Sequence, residues 1–323
     1  MPSGRPDRRS QALSRPAFSL IAALLAGLLL LPLFPAWAQN GIPPVLSSES
    51  VLLLDSQGSV LFSKNSESEH APASLVKLMT LYLALEDLEA GRVSWDETVT
   101  VSARAARTPR YRMGLRAGEK VPFRVLLEGV SIASANDAAT ALSEHPAGDE
   151  EEFVARMNAT AERIGLTQTR FANPHGLPDP NQRSTARDLA VLVERLLQDY
   201  PKSRTILGGG NFVYRGRVYS RQIPLFKHPG GVQALKTGFT SEAGYNLAVA
   251  AGRNGQRFLG VLLGAQSRNL SFLDAQKLFK YGFAQAGMDS PEEERLPPAK
   301  KRSRVRVSIP PRSPSESGPG GFR

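Results

Sequence analysis

The sequence predicts an α/β fold in which one sheet is built from both ends of the chain and a mainly helical lobe is inserted between them. Three observations carry this. A strand–turn–strand signal opens the region after residue 50, helical patterns alone fill the middle, and strand signals return only after residue 210, just before a closing helix.

The apolar run at 51–54 reads as a buried strand, Asp55-Ser56-Gln57-Gly58 as a turn, and 60–62 as the returning strand. Pro72 then precedes a dense series of apolar residues from Leu75 to Leu85, with Gly91 beyond them, which marks a helix apolar almost all round and therefore buried. Further helices are expected around 121–127, 135–142, 151–164 and 186–199. Strands are expected at 211–219, 232–237, 245–251 and 258–263, and a last helix at 270–283.

The ends of the chain read differently. Arg5, Arg8, Arg9 and Arg15 precede an uncharged apolar run over 17–34, and Ala36-Trp37-Ala38 supplies a small-x-small cleavage pattern. Residues 1–38 are thus expected to be a secretory signal peptide, with an uncleaved membrane anchor as the alternative. Residues 289–323, rich in Pro, Ser, Lys and Arg, are expected to form a disordered basic tail able to touch anionic lipid or wall polymer weakly. That leaves 39–288 as one large domain, with the helical lobe at about 95–205. The net charge of +10 sits about +3 in the leader and about +6 in the stretch after Ala299. A nearly neutral body argues against a nucleic-acid partner. With no cysteine in the chain, disulfides, thiolate catalysis and thiolate metal sites are all excluded.

Ser74-Leu75-Val76-Lys77 places a hydroxyl and an amine on one face of a buried helix, since residues three apart are neighbours there. A serine attacks only when a base takes its proton, and burial is one condition that makes a lysine such a base. Ser134-Ala135-Asn136 offers a hydroxyl and an amide at the mouth of another helix, where a plain N-cap is the competing reading. Lys236-Thr237-Gly238 closes an apolar strand, with a glycine that lets a substrate backbone come close and two side chains suited to a carboxylate. His145, in a loop over 144–149, and His175 have no metal-ligand spacing, and no metal or cofactor is expected.

These three motifs in this order resemble the active-site serine penicillin-recognising enzymes, and their D-alanyl-D-alanine carboxypeptidase branch in particular. The stretches 71–80, 134–139, 175–177, 184–188 and 236–247 carry the likeness, which covers about 44–286. The resemblance implies a DD-peptidase/β-lactamase-like fold, an antiparallel sheet flanked by helices. It further implies Ser74 as nucleophile, Lys77 as acylation base and Ser134 as proton relay. Asn136, Lys236, Thr237 and Gly238 would bind substrate, and the backbone N–H groups of Ser74 and Phe239 would form the oxyanion hole. Peptidoglycan stem peptides are the implied substrate and β-lactams the implied covalent inhibitors. Ala135 replaces a common glycine. The arginine that relatives place before the closing helix falls on Ser271, leaving Arg268 as a candidate carboxylate contact. Relatives often continue into a β-rich domain and a membrane anchor, where this chain has its basic tail.

The expected activity is serine DD-carboxypeptidase, with DD-endopeptidase cleavage of cross-links as the alternative. A β-lactamase would need a glutamate-x-x-leucine-asparagine pattern between Asn136 and Lys236, which is absent, and an inactive wall-binding scaffold would be expected to lose a motif member.

Overall fold

The computed structural model describes residues 42–109, 111–221 and 231–288. The expected leader over 1–38 and the expected tail over 289–323 lie outside them.

The N-terminal hairpin is β1 (Ser50–Leu54) and β2 (Val60–Lys64). A 3₁₀ turn at Ala73–Val76 runs into α1 (Lys77–Glu89). The lobe follows as β3 (Thr98–Thr100), α2 (Ala103–Arg107), β4 (Lys120–Pro122), α3 (Phe123–Ser131), α4 (Asn136–Ala147), α5 (Glu150–Arg163), α6 (Ala186–Asp199) and α7 (Ser203–Gly208). The chain then forms β5 (Asn211–Tyr214), β6 (Arg217–Ser220), β7 (Val232–Thr240), β8 (Gly244–Arg253), β9 (Gln256–Ala265) and the closing helix α8 (Arg268–Gln285).

Five strands make one sheet in the order β2-β1-β9-β8-β7, with antiparallel neighbours throughout. The run at 51–54 is apolar without alternation because both faces of β1 are covered. Val51 and Leu53 join Leu247, Val249, Phe258 and Leu262 under α8, where Phe272, Leu278 and Phe283 pack. Leu52 and Leu54 turn the other way, with Ala248, Ala250, Leu259 and Val261, into the larger core shared with α1 and the lobe. The two-residue period of a strand assigns each side chain to its layer. Gly260 keeps β9 smooth where Leu278 and Phe279 cross it, each 3.4 Å from where a Cβ would stand.

Several expectations shift. Val121 belongs to a strand, pairing with Val99, and the helix expected at 121 begins at Phe123. Three-residue strands are too short to display alternation. The segment read as one strand over 211–219 is a hairpin, reversed at Arg215 and Gly216, which take φ of 51° and 71°. His145 lies in the last turn of α4 rather than in a loop, because the helix continues through Pro146 to Ala147. Among the described residues no helix is long and apolar enough to cross a membrane.

The start of the domain is pinned to α8 by one buried carboxylate. Asp274 Oδ2 accepts from Ser48 N at 2.7 Å and from the Ser48 and Ser47 hydroxyls at 2.8 Å each. Burial alone would raise its pKa, but these donors outweigh burial and hold it below the ordinary carboxylate value. A depressed carboxylate stabilises the fold above the ordinary carboxylate range and loses that contribution as pH falls through its own pKa. Asp274→Ala should therefore cost about 1–3 kcal/mol at neutral pH by leaving buried donors unmatched. In urea titrations the gap from wild type should narrow below about pH 4.

Candidate active site

The start of α1 is set by an unusual backbone. Ala73 takes a φ of +49°, and the 3₁₀ turn that follows, at three residues per turn, eclipses positions three apart. Ser74 and Lys77 are such a pair, and Lys77 Nζ lies 3.1 Å from Ser74 Oγ. Lys77 is fully buried, and its amine also donates to Asn136 Oδ1 at 2.7 Å and to the His175 carbonyl. The role of His175 here is carried by its backbone, while its ring Nδ1 accepts from Leu177 N at 3.3 Å. The Pro174 carbonyl is tied to the same helix by Thr80 Oγ1 at 2.6 Å.

The second loop is held from two sides. Ser134 sits at φ +54°, and the N-cap of α4 is Ala135, without a side-chain cap. The Ser134 hydroxyl is turned elsewhere and accepts from Lys236 Nζ at 2.8 Å. The Ser134 hydroxyl, expected to act as proton relay, meets Lys236, and Asn136 lies beside Lys77. Asn136 Nδ2 donates to Pro109 O at 3.0 Å, so the amide expected to meet a substrate holds the site itself in this state.

The third element is β7, which extends through Thr240, so Lys236-Thr237-Gly238 lies inside the strand. Lys236 is buried and also donates to its neighbour's carbonyl, Thr237 O, at 2.9 Å. A Cβ on Gly238 would stand 3.0 Å from Ser74 N and 3.1 Å from Pro72 O. The strand thus runs directly against the nucleophile's backbone. From the other side Gly176, at φ +82°, presses on the same residues, and a Cβ there would fall 2.1 Å from Ala73 O. Phe239 follows on the strand, partly exposed, with its ring 4.3 Å from that of Tyr245.

Charge in this site is controlled by burial. Lys77 is lowered to about 7 by burial, opposed by the Asp137 carboxylate. Lys236 is pushed well below its ordinary value by burial first and then by the charges of Lys77 and Arg221. His175 falls to about 3, again from burial, with Lys77 and Arg104 adding to it. An amine near neutrality in this position can exchange a proton with a serine at physiological pH.

The structure brings Ser74, Lys77, Ser134, Asn136, Lys236, Thr237 and Gly238 together. Arg268 opens α8 with its guanidinium over the Phe272 ring at 5.7 Å, and the buried Ser271 hydroxyl donates to its carbonyl. Two residues without a role in the motif reading are built into the site. Asp137 accepts from the backbone N–H groups of Met113, Gly114 and Leu115, and Asn246 Nδ2 donates to Ala71 O at 2.9 Å. An acid directly after Asn136 reads locally as first-turn helix chemistry, and nothing in its neighbours reveals partners over twenty residues away. Among the described residues no group of three His, Cys, Asp or Glu could hold a metal.

A family profile described as D-alanyl-D-alanine carboxypeptidase matches residues 38–267. The chain belongs to this family of serine peptidases. It is 36% identical over 277 residues to D-alanyl-D-alanine carboxypeptidase DacC of Escherichia coli, covering 82% of this chain and 69% of that one. Penicillin-binding protein 5 of Haemophilus influenzae superposes with a TM-score of 0.73 at 33% identity, over 76% of this chain and 73% of its own. Penicillin-binding protein D2 of Listeria monocytogenes, solved in an ampicillin-bound form, superposes at 0.66 with 29% identity, over 75% of this chain and the whole of its own. The chain spans about two thirds of the length of its curated relatives. The expected antiparallel sheet flanked by helices is thus the fold of the family.

Two outcomes follow for a carboxypeptidase built this way. Acylation by a β-lactam should rise with pH to a plateau above about pH 7, as the Lys77 amine loses its proton, and Lys77→Arg should abolish that rise. Stopped-flow acylation across pH reads both. Gly176→Ala should slow acylation about a hundredfold by displacing Ser74. Gly165→Ala is the control: its φ is +83° but no atom lies within 4 Å, so it should lower the melting temperature and leave acylation unchanged.

Proposed function

We propose that this chain is an exported serine DD-carboxypeptidase that removes the terminal D-alanine from peptidoglycan stem peptides through an acyl-enzyme on Ser74. The observation that carries the reading is the buried Lys77 amine, 3.1 Å from Ser74 Oγ and lowered to about 7. The domain limits 1–38, 39–288 and 289–323 belong to the same reading, and the family match opening at residue 38 supports the first of them.

Neutral Lys77 takes the Ser74 proton as Oγ attacks the carbonyl carbon of the penultimate D-alanine. The resulting oxyanion is met by the backbone N–H groups of Ser74 and Phe239, whose strand is pressed against the nucleophile at Gly238. Collapse breaks the peptide bond. Lys77 passes the proton it took from Ser74 to the departing nitrogen through the Ser134 hydroxyl, which Lys236 holds at 2.8 Å, so that Lys77 is neutral again and an ester remains on Ser74. Water gives a proton to neutral Lys77 as it attacks that ester, and the proton returns to Ser74 Oγ as the acid leaves. The substrate's terminal carboxylate is bound by Lys236 and Thr237; an anion arriving beside a buried amine restores the charge that burial removes. Arg268 is a further candidate contact for that carboxylate.

The test is covalent. Intact mass spectrometry after incubation with penicillin should show one adduct on the wild type and none on Ser74→Ala; an adduct on another residue overturns the assignment. Products from monomeric and cross-linked muropeptides, weighed separately, then distinguish a carboxypeptidase from an endopeptidase.

A further inference from the structure

Although the body of the chain is nearly neutral overall, its charge is segregated. Residues 103–124 hold seven arginines and lysines against a single carboxylate, Glu119, and the β5–β6 hairpin with Arg221 adds three arginines and no acid. The fold joins these two stretches. Glu119 accepts from the Tyr214 hydroxyl at 2.6 Å, from Arg116 N at 2.8 Å and from Arg215 at 3.3 Å, and the Tyr219 hydroxyl donates to Met113 O at 2.9 Å.

Around that one saturated acid, Arg107, Arg112, Arg116, Lys120 and Arg217 are exposed, and none has a carboxylate within 4 Å among the described residues. Arg112 lies along the end of α2, donating to Ala106 O at 3.1 Å. Arg217 lies over the Tyr219 ring at 4.9 Å. Tyr111, Val213 and Val218 are exposed on the same two stretches, the valines as cross-strand partners.

This surface shares its backbone with the active site. Asn136 N donates to Tyr111 O at 2.6 Å, and Asn136 Nδ2 donates to Pro109 O. Arg221, on the hairpin side, donates to the carbonyl and hydroxyl of Ser131, three residues before Ser134. Its field already reaches the catalytic groups: Arg104 acts on His175 and Arg221 on Lys236.

We propose that the arginine-rich surface of residues 104–109 and 111–120 and the β5–β6 hairpin docks the carboxylates of the peptidoglycan polymer beside the catalytic groups, a site for the substrate beyond its scissile dipeptide. The inference rests on the peptidase reading for the identity of the polymer. Collecting like charges on one face costs self-repulsion, and an anionic partner offsets it. Guanidinium forks match carboxylates in geometry, and one-signed charge at the edge of a cleft raises the encounter rate of an oppositely charged substrate. The same backbone holds Asn136 through Tyr111 O and Ser131 through Arg221, so the polymer that presents the scissile peptide is the occupant the geometry favours.

The experiment uses the full chain with Arg107, Arg116 and Arg217 all changed to glutamine, three exposed residues outside the catalytic hydrogen-bond chain. Cosedimentation with purified sacculi should show wild-type binding that weakens with salt, and about tenfold weaker, less salt-sensitive binding by the variant. Arg217→Glu alone, on the exposed hairpin, should also weaken it. Acylation by penicillin and the melting temperature should match wild type in both. Unchanged sacculus binding overturns the proposal. So does wild-type binding to phosphatidylglycerol vesicles that is tighter than to sacculi and lost in the variant, which would make the face a membrane-docking surface. Absence of a penicillin adduct on the wild type would instead remove the peptidase reading, and is read independently.

Discussion

A fully buried amine has to find its partners inside the protein, and the position of Lys77 organises everything around it. Its nitrogen meets acceptors from three separate stretches: the Ser74 hydroxyl one turn back, the Asn136 amide at the start of α4, and the carbonyl of His175. Each contact fixes one wall of the site. Burial is also what brings the amine near neutrality, so the same desolvation that demands close partners supplies the reactivity. Polar matching and chemical competence are here one constraint seen from two sides.

The rest of the fold presents that nitrogen at the seam between sheet and lobe. α1 emerges from a turn squeezed between Gly176, where backbone atoms occupy the space in which a side chain would begin, and Gly238, where a Cβ would meet Ser74 N at 3.0 Å. Asn246 ties β8 to Ala71, just before that turn, and accepts from Gly264 N with its other end. Asp137 fastens the 113–115 segment to the helix that carries Asn136. The catalytic groups therefore rest on backbone held from several directions, which suits a site that must keep its geometry when charge moves.

Much of this was legible in the sequence. The three motifs, the apolar run of α1 and the late return of strands specify the fold class and nearly all of the clustered side chains. The partners within the cluster were less legible. The contact of the Ser134 hydroxyl with Lys236 comes with a positive φ at Ser134, a conformation that no residue-type rule assigns to serine. Helix α8 opens on Arg268 with its guanidinium over Phe272, a placement that its sequence neighbours do not reveal. The role of the His175 carbonyl could not be read at all, since every residue but the last offers the same backbone group. Short pairings such as β3 with β4 escape for a related reason: three residues carry too little periodicity, and their stability comes from tertiary packing.

The order of strands in the sheet bears on how the molecule comes into being. β1, met first along the chain, lies between β2 and β9, and Ser50 pairs with Leu263. The central strand pairs cannot close until nearly the whole domain has left the ribosome, so the opening hairpin waits with an unpaired edge while the lobe is made. Contacts this distant in sequence make folding slow and keep an aggregation-prone edge exposed for longer. A chain of this topology stays open late, a property compatible with threading through a narrow conduit before it folds.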